Sequence, residues 1–163
     1  MIRPFQHRRR GARTLSGAVL LLAGAAAAVL GAMSLAGWLF HAPALTRLGP
    51  AFNPMAANTA VGLLLDGVAL LSIAAGFSRA ALSAAVGSLL AGALTLAEYS
   101  LSIDLHIDQL LVRDYIRAYR VHPGRMGPNT AVCLFLCGAA LLLAIRCERS
   151  EPPNPHHFYH HDQ

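Results

Sequence analysis

Four long apolar stretches alternate with short polar breaks along the chain: Leu15–Phe40, Thr59–Phe77, Ala80–Ile103 and Thr130–Ile145. A helix needs about 20 mainly apolar residues to cross about 30 Å of hydrocarbon, and the first three stretches reach that length. The fourth extends only about 24 Å at 1.5 Å per residue, so its flanks must help it across. Arg146 and Arg149 stand where their side chains can snorkel to the headgroups. The pattern predicts an all-α integral membrane protein with four transmembrane helices. Composition agrees, since 55% of residues are hydrophobic and 13% charged, about half the usual charge of a soluble domain. Too little polar sequence remains to cover four buried helices in water. The first stretch exceeds the roughly 7–15 apolar residues of a signal peptide, so an uncleaved first span is expected.

The second and fourth stretches begin almost identically. "MAANTAVGLLLDGVALL" runs from Met55, and "MGPNTAVCLFLCGAALL" follows seventy-one residues later from Met126. "LSGAV" at Leu15 and "LSAAV" at Leu82 open the first and third stretches. The repeat unit is therefore a helical hairpin, about 15–77 and again about 82–146. Each unit has two spans, so both copies share one orientation, a direct repeat unlike the inverted repeats of many transporters. Asn58 and Asn129, each followed by a threonine (Thr59, Thr130), are expected to cap the starts of spans two and four. Pro54 and Pro128 stiffen the approaches. Alternatively, the two helix N-termini form a site for an anionic or polar ligand.

Every basic side chain is Arg, and Arg3, Arg8, Arg9, Arg10 and Arg13 precede the first span. The positive-inside rule then puts both termini in the cytoplasm, N-in/C-in. The expected organisation is a basic cytoplasmic N-terminus (1–14), a four-span domain (15–146) and a disordered cytoplasmic tail (147–163). The basic balance favours anionic lipid as partner rather than nucleic acid. Small residues recur every four positions at Gly24, Ala28, Ala32 and Ala36 and at Ala80, Ala84, Ser88 and Gly92. These faces are expected to carry helix–helix contacts and could support a homodimer.

Asp66 lies eight positions beyond Asn58, about 12 Å into span two, where an acid is costly enough to signal function. Glu98 and Tyr99 stand near the outer end of span three. Beyond them, Asp104, His106 and Asp108 alternate in the longest polar segment. From Ile107 that segment reads as an amphipathic helix on the membrane surface. Cys133 and Cys137 share a face four apart, and Cys147 follows; their spacing fits neither a disulfide framework nor a zinc site. No His lies deep in a span, and no nucleotide-binding, nucleophile-elbow or zinc-protease motif occurs. We therefore expect no enzyme, no cofactor and no metal.

"MxxNTAxxxLLxG" twice, with "LTLAEYSLSIDLHIDQLL" and "HPGRMGPNTA" between, resembles the N-terminal multi-span input region of bacterial sensor histidine kinases and diguanylate cyclases. The residues that carry the resemblance include Glu98, Tyr99, Asp104, Asp108, Arg125, Met126, Asn129 and Thr130, while His106 stands where that family has Gly. The resemblance covers about Leu15 to Ile145. It implies a sensory or signal-input module of the bacterial inner membrane, working with a cytoplasmic or membrane signalling partner and without its own output domain. Two other readings remain open: a small proton- or ion-coupled carrier using Asp66, and a structural or truncated protein without activity.

Overall fold

A computed structural model describes residues 5–47, 49, 52–105 and 124–150. Among these, regular structure is entirely helical: α1 (Phe5–Leu39), one 3-10 turn (Pro43–Thr46), α2 (Ala57–Ala74), α3 (Ser78–Leu101) and α4 (Pro128–Ser150). Four segments are long and apolar enough to cross a membrane: Gly17–Leu39, Ala57–Ala74, Ser78–Leu101 and Pro128–Cys147. They mark a multi-pass membrane protein. The fourth reaches 20 residues by taking in Pro128 and Asn129 before its apolar run and Arg146 and Cys147 behind it. Two boundaries differ from expectation. α1 runs back to Phe5 through the basic segment, and α4 continues to Ser150, so the first residues of the tail are helical. The surface helix expected from Ile107, Asp108 with it, and the tail from 151 lie outside the described residues.

The distribution of side chains suits hydrocarbon surroundings. Large apolar residues face outward, among them Val19, Leu22 and Val29 on α1, Leu90 and Leu94 on α3, and Leu136 and Leu143 on α4. The interior instead holds small and polar residues, including Ala60, Ala69, Ala81, Ala85, Ser34, Ser88 and Thr95. Lipid tails are as apolar as leucine, so helices in a bilayer associate through close backbone approach and polar contacts.

α1 packs on α2, α3 on α4, and α2 joins the two pairs by lying against α3 and, less extensively, α4. Both hairpins close through glycines in matching places. A Cβ on Gly31 would meet Ala60 O and Leu64 N, each at 2.7 Å; one on Gly92 would meet Ala131 O at 2.7 Å and Phe135 N at 2.5 Å. Likewise Gly67 abuts Ala28, and Gly138 abuts Leu89. The α2 and α4 partners lie seventy-one residues apart, the spacing of the Asn-Thr segments. The α1 and α3 partners lie sixty-one apart, not the sixty-seven that separates Leu15 from Leu82.

The small-residue faces follow the same contacts rather than a strict four-residue step. Gly24, Gly31, Ser34, Gly37 and Trp38 are buried on α1, while Ala32 is exposed. On α3, Ala84, Ser88 and Gly92 are buried but Ala80 is exposed. A run of four-residue steps drifts by about 40° each time on a helix of 3.6 residues per turn, so it leaves a packed face within a few turns. A Schellman turn joins α2 to α3: Gly76, at φ +79°, donates to Ile73 O and Phe77 donates to Ser72 O.

Candidate functional site

The chain enters α2 and α4 by similar routes. Ala56, extended at φ −63° and ψ 147°, is the N-cap of α2, and the Ala60 N–H reaches its carbonyl. Pro128 is the first residue of α4, and the Ala131 N–H reaches Gly127 O. Asn58 and Asn129 are therefore the second residues of their helices and do not cap them. Proline is well placed in a first turn, because the N–H it lacks would have no intrahelical partner there. Pro128 thus opens the helix it was expected to hold off.

An aromatic side chain fixes each approach. Trp38 Nε1 donates to Met55 O at 2.8 Å, and Tyr99 Oη donates to Met126 O at 2.9 Å. Trp38 and Tyr99 stand at the ends of α1 and α3 and, like the glycine pairs, sixty-one residues apart. Both bring a polar tip on an apolar body, which can secure a loop carbonyl at the edge of an apolar region.

Between these approaches lies a cleft of about 600 Å³, lined by Asn53, Pro54, Met55, Ala56, Thr59, Tyr99, Arg125, Met126, Gly127 and Thr130. Met55 and Met126, Ala56 and Gly127, and Thr59 and Thr130 are the same positions of the two Asn-Thr segments. Each segment therefore contributes the same three positions to the walls. Comparison with protein-family models, curated proteins and solved structures finds no match to this chain.

The charged part of the cleft belongs to one side only. Arg125 is almost wholly enclosed, with its Nε 3.5 Å from Oε2 of Glu98, which is fully buried. This is a charge contact rather than an aligned hydrogen bond, since Oε2 has no hydrogen-bond partner among the described residues. Glu98 Oε1 accepts the Leu105 N–H at 2.9 Å. The Arg125 guanidinium also reaches Asp104 Oδ1 at 3.3 Å and lies 5.6 Å from the centre of the Tyr99 ring. The Asp104 side chain is 57% exposed, against 4% for Arg125 and 0% for Glu98. At the matching place on α1 stands Gly37, where a Cβ would meet Leu45 and Thr46 of the 3-10 turn. Backbone packing there does what the ion pair does on the other side, helped by the Met55 N–H bond to Thr46 O.

Of the residues singled out from the sequence, Thr59, Thr130 and Tyr99 line the cleft. Glu98 and Asp104 hold its arginine. Asn58 and Asn129 lie in the first turns beside it. Asp66 does not line it: it is buried among the helices, with Ser88 of α3 facing it and no hydrogen-bond partner for Oδ1 among the described residues. Cys133, Cys137 and Cys147 are exposed and form no disulfide. Among the described residues no group of three His, Cys, Asp or Glu side chains could hold a metal ion.

Arg125 and Trp38 are the residues that sequence reasoning underrated. Arg125 read as one of several loop arginines, yet it immediately precedes the repeated Met. That position borders a helix start and was the available signal. Trp38 is the chain's single Trp and ends the first apolar stretch.

Proposed function

We propose that the chain is an integral-membrane sensory input module whose ligand enters this cleft. One observation carries the reading: the same positions of both Asn-Thr segments wall a single cavity. A ligand there touches both helix pairs at once and can bias how they pack, the kind of bistable rearrangement that transmits a signal through helices. The resemblance to the input regions of bacterial sensor kinases and cyclases supports the same role. In this proposal the chain is two direct-repeat hairpins in the inner membrane, with both termini cytoplasmic and the cleft on the outer side. The small-residue contacts match between hairpins, and the basic N-terminal segment favours the cytoplasm. The chain itself performs no catalysis; output comes from a signalling partner.

A fusion of the chain to a histidine-kinase output domain tests this. Replacing Thr59 and Thr130 together by Val keeps the side-chain shape and removes two wall hydroxyls. It is expected to lower the response to the native signal at least severalfold at unchanged membrane levels. An unaltered response would remove the cleft as the input site.

A second reading comes from Asp66, whose buried Oδ1 lacks a hydrogen-bond partner among the described residues. A buried acid is a recognised position for a proton or ion relay. Under the sensory reading, Asp66→Asn leaves membrane potential and proton flux in vesicles unchanged. Loss of a proton-coupled flux on that substitution would instead make the chain a carrier.

A further inference from the structure

The charge pattern of the cleft narrows what it can hold. Arg125 is the cationic group in its walls, and it is about 95% buried. The remaining polar lining comes from Thr59, Thr130, Asn53 and Tyr99, which carry no charge at neutral pH. The first turns of α2 and α4 also border it, and their early backbone N–H groups have no intrahelical acceptor. The two carboxylates that neutralise Arg125 are not part of the wall and are held very differently. Glu98 is fully buried and accepts a backbone N–H, so it cannot leave without stranding a charge. Asp104 is mostly exposed, touches Arg125 at 3.3 Å, and can be rehydrated at little cost.

We infer that the cleft binds an anion, a phosphate or carboxylate group, which takes the place of Asp104 on the Arg125 guanidinium. Exchange rather than addition follows from charge: with Glu98 and Asp104 both in place, a third anion would meet a net negative cluster. With Asp104 turned to water, the guanidinium again balances one carboxylate and offers its outer edge to the ligand. Thr59 and Thr130 supply hydroxyl donors from opposite walls. A free anion and a lipid phosphate share this chemistry. The inference rests on the reading of the cleft as the input site and adds the class of its ligand.

The full chain, reconstituted in phosphatidylcholine nanodiscs, is titrated with inorganic phosphate while the fluorescence of Trp38 is followed. This lone Trp is bonded to the carbonyl of the wall residue Met55. Saturable binding is expected. Asp104→Asn removes the competing carboxylate and tightens binding about two- to fivefold, the scale of an exposed ion pair. Arg125→Met abolishes binding. If that variant does not fold, the Thr59→Val, Thr130→Val chain serves instead, with affinity severalfold weaker.

Nanodiscs containing phosphatidylglycerol separate the two sources. If the lipid phosphate is the native occupant, they abolish the phosphate titration in the unaltered chain, and adding Asp104→Asn does not restore it. If a free anion is, the titration survives. No saturable signal in phosphatidylcholine, or binding weakened by Asp104→Asn, overturns the anion exchange. A kinase fusion that still depends on Thr59 and Thr130 would then keep the cleft as the input site and reject only the ligand class. Phosphate binding with a silent fusion would do the reverse.

Discussion

Replacing Arg125 by Met is expected to destabilise the protein by roughly 3–5 kcal/mol, because it leaves the fully buried Glu98 carboxylate without its counter-charge. The loss is read from equilibrium unfolding in mixed micelles. Glu98→Leu alone strands the guanidinium and is costly in the same way. Arg125→Met combined with Glu98→Leu removes both charges, and should recover most of the stability lost by either substitution. Asp104→Asn touches the same arginine from the exposed side, and is expected to change stability by less than about 1 kcal/mol. The contrast between the two carboxylates is what this cycle measures. Equal losses for Glu98→Leu and Asp104→Asn, or no recovery in the double variant, would refute the division of roles around Arg125.

That division also explains why the hairpins differ where they are otherwise alike. On α1, Gly37 lets Leu45 and Thr46 pack directly against the helix, and the approach to α2 is held by backbone and indole hydrogen bonds. On α3, Glu98 fills the matching place and takes Arg125 as partner. A buried ion pair is seldom the most stable way to fill a site, since desolvation offsets most of the attraction. Backbone packing does the same structural work at Gly37. The charge at Glu98 and Arg125 is therefore better understood through what the guanidinium offers to the cleft than through stability alone.

Much of the architecture is legible in the sequence, because hydrocarbon permits few alternatives: apolar runs of this length form helices that satisfy their own backbone. The Asn-Thr segments are legible too, and Thr59 and Thr130 do meet across one cleft. Their local role is not. Asn beside Pro reads as a cap, but Pro128 occupies the first helical position itself and Ala56 precedes Ala57, so both Asn side chains fall one position inside. The register between α1 and α3 is also hidden. Stretches built from Ala, Gly and Leu match one another at several offsets, and "LSGAV" with "LSAAV" is one such match. The contacts that set the register are made by glycines whose partners are backbone atoms, where side-chain identity carries little signal. Arg125 is obscure for another reason: its meaning depends on Glu98, twenty-seven residues earlier, and that pairing becomes visible only once the helix ends are placed.

Those glycines give a second large effect. A Cβ at Gly92 would stand 2.5 Å from Phe135 N, and at Gly31 2.7 Å from Leu64 N. Backbone atoms cannot rotate away as side chains can, so even Ala at either position must push two helices apart. Overpacking of this kind is worth about 1–3 kcal/mol, and Leu at the same places should exceed the Ala variants. Gly17, where an added Cβ would meet nothing within 4 Å, is the matched control and should tolerate Ala and Leu without loss. Unfolding of the four variants against Gly17→Leu in mixed micelles tests whether the hairpins close alike. Comparable losses at Gly31 and Gly92 are expected, because their partners, Ala60 with Leu64 and Ala131 with Phe135, repeat at the spacing of the Asn-Thr segments. A large loss at one and none at the other would mean that the matched contacts do not carry matched weight. The cleft would then rest on one rigid wall and one yielding wall, and a ligand would move the yielding one.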